Sequence, residues 1–154
     1  MKYARPFFTI LLLLPGAARA QGVSATWDTA KDLAALIEQA ERLNPILSQL
    51  TPEQWEAKGA PATYTTQWRD ARSEVGYLID AARAMQKQPE KLSLALETLF
   101  RLQAVEAQVN SLVEAVRRYQ NPAVGDLLVG VVGANSSNRD QLRQYVSDLA
   151  QTKE

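Results

Sequence analysis

The sequence predicts an all-α fold, an antiparallel, coiled-coil-like up-down-up-down four-helix bundle. Three observations lead there. From Thr26 onward apolar residues recur at spacings of three and four, the helix breakers Pro, Gly and Asn fall between those runs, and strand signals are nearly absent. The one β-branched cluster, Val129 to Val132, is short, interrupted by glycine and flanked by helical pattern.

The chain opens on a different kind of segment. Lys2 and Arg5 precede an apolar run from Phe7 to Leu14, and Ala18, Arg19 and Ala20 read as a small-x-small cleavage site. Residues 1–20 are therefore expected to be a secretory signal peptide, cleaved after Ala20. The apolar stretch is short of the roughly 20 residues that span a bilayer, and Pro15 and Gly16 interrupt it. No Cys stands nearby to carry a lipid, and no later segment is long and apolar enough to cross a membrane. Residues 21–154 then form one helical-bundle domain, large enough to bury a core without staples.

Within that domain the first apolar stripe is Leu33, Leu36, Ala40, Leu43, Leu47 and Leu50, with a kink or break expected near Asn44 because Pro45 follows. Thr51, Pro52 and Gln54 read as an N-cap, a first-position proline and a third-position Gln, the start of a short extra helix that Gly59 and Pro61 end. The second long run, Tyr64, Trp68, Ala71, Val75, Leu78, Ala82 and Met85, keeps a heptad up to Gln88 and Pro89. The third carries Leu92, Leu99, Leu102, Val109, Val113 and Val116 to Tyr119, where Arg117 and Arg118 suit a helix C-terminus. Asn121 and Pro122 open the last run, in which Val124, Leu127, Val131, Ala134, Leu142, Tyr145 and Leu149 form the expected stripe. Gly125, Gly130 and Gly133 weaken its first half by about 1 kcal/mol each and point to close helix approach.

Composition excludes much chemistry. With no His and no Cys the chain has no Ser-His-Asp or Cys-His arrangement, no histidine for haem and no Glu-x-x-His pair for a di-iron bundle. No glycine-rich phosphate loop is present. Glu53 with Glu56, and Asp70 with Glu74, read as solvated helix faces rather than acid-base or metal pairs. No catalytic residue, metal ligand or cofactor is expected. The leader holds Lys2, Arg5 and Arg19, three of the 17 basic residues, so the mature chain carries 14 basic residues against 17 acidic ones. A balance of −3 gives no reason to expect nucleic acid or an anionic membrane as partner.

Two places conflict with a plain apolar bundle. Glu106 falls inside the third stripe, with Gln103 and Asn110 on its edge, and a carboxylate there must be paired. Antiparallel packing sets it level with Asn135 and Asn138, and with Arg69 and Arg72. A mid-bundle polar layer follows, with Glu106 paired to Arg72 or Arg69 and Gln103, Asn135 and Asn138 supplementing it. It either specifies helix register or holds a small polar ligand. The second place is the connection bearing Trp55, Lys58, Pro61, Tyr64 and Trp68, which is either an aromatic platform for a glycan or peptide or a hydrophobic plug closing the bundle's end.

The architecture is similar to that of small exported helical proteins such as the periplasmic b-type cytochromes. That likeness implies no function, because His is absent and Met85 is the only Met beyond the initiator. The expectation is an exported, periplasmic or secreted protein that is no enzyme and acts through protein or envelope contacts, self-association included. The alternative is a small-ligand binding protein using the aromatic loop or the polar layer.

Overall fold

The computed structural model describes residues 28–152. The expected signal peptide and its cleavage site lie outside them. Every regular element among the described residues is a helix: α1 (Thr29–Glu41), α2 (Leu43–Ser48), α3 (Pro52–Glu56), α4 (Thr63–Lys87), α5 (Leu92–Tyr119), α6 (Pro122–Ala134) and α7 (Ser136–Gln151). The protein is all-α, as the periodicity predicts.

Asp28 caps α1 by accepting the Lys31 backbone N–H at 3.3 Å. The first stripe then buries as expected: Leu33, Leu36, Ala40, Leu43 and Leu47 are fully buried and Leu50 nearly so. The break falls at Arg42 rather than near Asn44. Pro45 consequently sits in the first turn of α2, where its missing N–H has no helical partner to lose.

Helix α3 begins at Pro52 as predicted, yet the Thr51 hydroxyl makes no cap and turns instead to Gln120. The helix ends in a Schellman arrangement, with Ala60 N–H donating to Trp55 O at 3.1 Å and Gly59 N–H to Glu56 O at 2.9 Å. Gly59 takes φ +89°, the left-handed conformation that motif requires.

The connection 88–91 folds α5 back along α4, and these two helices share the largest helix contact. Ala71, Val75, Leu78, Ala82 and Met85 of α4 face Leu99, Leu102, Val105, Val109, Leu112 and Val116 of α5 across the core. α5 is also covered by α6 and α7, so its buried arc is far wider than a single heptad stripe. α1 packs on α4, and α2 touches both α4 and α6.

The last run departs from expectation in two ways. It is two helices, because the chain breaks at Asn135, which is 2% exposed. The face that α6 turns inward is also different: Gly125, Leu128 and Val132 are buried, whereas Leu127 is 55% exposed and Ala134 lies on the surface. α6 is apolar almost all round, so periodicity alone does not select a face. Close approach to α5 selects it. A Cβ on Gly125 would lie 2.5 Å from Arg117 Cγ and 3.3 Å from the Val113 carbonyl oxygen, so only glycine lets α6 settle there.

Gly130 is different, because an added Cβ there meets nothing within 4 Å. Gly125→Leu should therefore destabilise the fold by about 2 kcal/mol or more, by overpacking. Gly130→Ala should stabilise it by about 0.5–1 kcal/mol through helix propensity. Urea midpoints at unchanged m-value, taken at low protein concentration, measure both.

Candidate functional site

The aromatic connection forms a plug. Trp55 is fully buried, so it offers no platform to a ligand. Tyr64 meets its ring edge-on at 6.3 Å between centroids, and Tyr119 tilts against Tyr64 at 6.5 Å. Trp68 is half-buried and donates its indole N–H to Leu47 O at 2.7 Å, while the Arg72 guanidinium stacks on its ring at 5.0 Å. Lys58 reaches the last carbonyl of α5, Tyr119 O, at 2.6 Å, a C-terminal cap supplied from the far side of the chain. Pro61 is exposed in the turn between α3 and α4. Of the five residues expected in a platform, the structure joins Trp55, Tyr64 and Lys58 to Tyr119 in a seal over the end of α5.

Gln120 organises that seal and has no special signal in the sequence. Its Oε1 accepts from the Trp55 indole and from the Thr51 backbone N–H, each at 3.1 Å, and its Nε2 donates to Gln49 O at 3.0 Å. One side chain thus satisfies the polar groups left by the α2–α3 turn and by the buried indole. A glutamine one residue beyond a helix end reads from sequence as ordinary turn chemistry.

Glu106 finds a different cation from the ones expected. Glu106 pairs with Arg139 at 2.9 Å, not with Arg69 or Arg72. Those two arginines project from the exposed side of α4, Arg69 towards Glu53 at 3.9 Å and Arg72 over Trp68, so neither reaches the interior. Arg139 enters from the first turn of α7, which packs on α5, directly after the Asn135 to Asn138 stretch that lies level with Glu106. The hydrogen bond to Glu106 holds the Arg139 guanidinium above its ordinary range. Asn138 donates to Asn135 at 3.3 Å, and Gln103 is half-buried one turn away from Glu106. Asn110 is exposed and stands outside the layer. The Glu106 side chain is 14% exposed, and its second oxygen, Oε1, is buried without a hydrogen-bond partner.

Around these centres further ion pairs fasten helices together. Arg117 bridges Asp126 of α6 and Glu114 of α5 at 2.7 and 2.8 Å, and Arg101 joins Glu74 across α4 and α5. Among the described residues no three acidic, His or Cys side chains gather in a way that could hold a metal ion, and no helix is long and apolar enough to cross a membrane.

The surface feature that periodicity missed is the outer side of α6. Together with Gln39 of α1 and Arg42 at the α1–α2 break it lines an open, mainly apolar groove of about 450 Å³. Leu127 and Val129 are exposed on this helix. The other exposed large apolar residues are Phe100 on α5 and Tyr77 on α4, the latter with the Arg101 guanidinium 5.1 Å from its ring. Comparisons with protein-family models, with curated proteins and with solved structures return no match to this chain.

Gln120→Ala should lower stability by about 1–3 kcal/mol, because it strands the buried Trp55 N–H. Gln120→Glu keeps the acceptor and should recover part of that loss. Chemical denaturation of both variants, followed by tryptophan emission, measures the difference.

Proposed function

We propose that this protein is an exported, non-catalytic helical bundle of up-down-up-down topology that works by presenting the outer face of α6 to another protein. One observation carries the reading. α6 holds a single charged residue, Asp126, among 13, and a helix apolar on all sides belongs in an interior, yet half of its circumference faces solvent. Export is supported by the basic, apolar and small-residue succession in residues 1–20. The bundle topology is supported by the short connections at 88–91 and 120–121 and by the pairwise packing of α1 on α4, α4 on α5, and α5 on α6 and α7. A non-enzymatic role fits a chain without His or Cys in which the half-buried carboxylates Glu74 and Glu106 engage arginines.

The reading is tested by placing a photoreactive residue at position 127 in the native host. Discrete crosslinked species are expected there, reduced when Ala134→Arg is added on the same face and absent when the photoreactive residue stands at the exposed Ser73. No crosslinks at position 127, or the same ones at position 73, overturn it.

A small polar solute held beside Glu106 is a second reading, favoured by the buried oxygen without a partner. A thermal-shift screen with polar solutes and divalent cations should then raise the melting temperature of the wild type but not of Glu106→Gln. A flat screen removes this reading.

A further inference from the structure

α7 is fastened less firmly than the helices it joins. Leu142 is the one buried residue among its 16, and Tyr145, Val146 and Leu149 are partly covered. Its contact is mainly with α5 and to a smaller extent with α6, whereas α1 packs on α4, α4 on α5 and α6 on α5 without it. The helical ladder also changes at Asn135, whose N–H donates to Val132 O, three residues back, at 3.1 Å, and α7 starts there without a side-chain cap. A helix joined in this way is a separate unit of opening, since its departure leaves the other helix contacts in place.

We propose that α7 is a releasable strap, which leaves α5 as one unit while α1 to α6 stay folded, and that the Glu106–Arg139 pair sets how often it does so. In the docked state Glu106 Oε2 meets Arg139 at 2.9 Å, but Oε1 is buried without a hydrogen-bond partner. A carboxylate so placed carries a desolvation cost that one ion pair offsets only in part. Release lets water reach both oxygens, so the docked and released states lie closer in free energy than the apolar contacts of α7 alone would set them. The outer face of α6 takes no part in this opening.

Arg139 lies against Glu106, and the Tyr145 hydroxyl donates to Pro89 O at 3.0 Å ahead of the start of α5, so α7 runs antiparallel along the first half of that helix. At about 100° per residue, Ala95, Leu99 and Leu102 of α5 fall within about 40° of Glu106. Release therefore bares an apolar strip of α5 that ends at a free carboxylate. At 16 residues α7 is barely long enough to hold a helix in water without packing, so its amide protons exchange when it opens.

Native-state hydrogen exchange of the purified protein, followed amide by amide by NMR at low urea, reads the opening directly. The amides of residues 139–149 are expected to share one protection level, exchanging at least about a hundredfold faster than the central amides of α4 and α5 and with little dependence on urea. Arg139→Ala strands the carboxylate and should raise the α7 rate at least about tenfold. Glu106→Leu combined with Arg139→Leu removes the desolvation cost and should lower that rate at least about tenfold. Val75→Ala, in the fully buried part of α4, should speed exchange in α4 and α5 at least about tenfold and leave α7 unchanged, because that core is intact when α7 opens. Exchange of α7 in one class with α4 and α5, a response of α7 to Val75→Ala, or protection that merely declines along α7 towards Gln151, as in a fraying end, overturns the proposal. So does an α7 rate indifferent to both changes at the Glu106–Arg139 pair.

Discussion

Covering α5 with α4, α6 and α7 buries it over more than a single stripe, and much of the structure follows from this one demand. A helix enclosed so broadly must be apolar over far more than one stripe, and α5 is: Ala95, Leu99, Leu102, Val105, Val109, Leu112, Val113 and Val116 are all buried. Where its sequence places a carboxylate inside that arc, a cation has to follow it in. Glu106 therefore sets a requirement on α7, which Arg139 meets. The C-terminal end of α5 imposes a second requirement, since its last carbonyls emerge beneath a buried indole. Lys58 takes the carbonyl of Tyr119, and Gln120 takes the indole and the neighbouring turn.

The same enclosure explains the position of α6. To lie close to α5 it presents Gly125 over Arg117 and Val113, and Arg117 in turn holds Asp126. That contact fixes the rotation of a helix whose own composition is indifferent to rotation. Its consequence is an apolar outer face, which no other helix among the described residues covers. The proposed contact surface rests on this mismatch between what α6 is made of and where it lies.

The long helices were legible because their apolar residues keep strict spacing and their ends carry strong signals. The stripe from Ala71 to Met85 is buried as periodicity demands, Pro52 and Pro122 occupy the first positions of α3 and α6, and Asn121 caps α6 by accepting the Ala123 N–H at 2.9 Å. The candidate site was legible only in part. Glu106 stands out as a charge within an apolar stripe, but its partner depends on which neighbouring helix brings a long side chain over it. Arg69 and Arg72 are level with it and point away. The aromatic loop was recognisable as a cluster, while the burial of Trp55 depends on Gln120, which lies 65 residues further along the chain.

By itself the sequence determined the helical class, the breaks at Gln88 and Asn121, the inward stripes of α1, α2 and α4, and the absence of His and Cys chemistry. These are properties of local spacing and composition, which each segment carries wherever it packs. Tertiary structure alone decided that Arg139 answers Glu106, that Gln120 seals the end of α5, and that α6 turns Leu128 inward and Leu127 outward. Each of those depends on distances between segments remote in the chain, and a helix apolar on every side has no face until a neighbour gives it one.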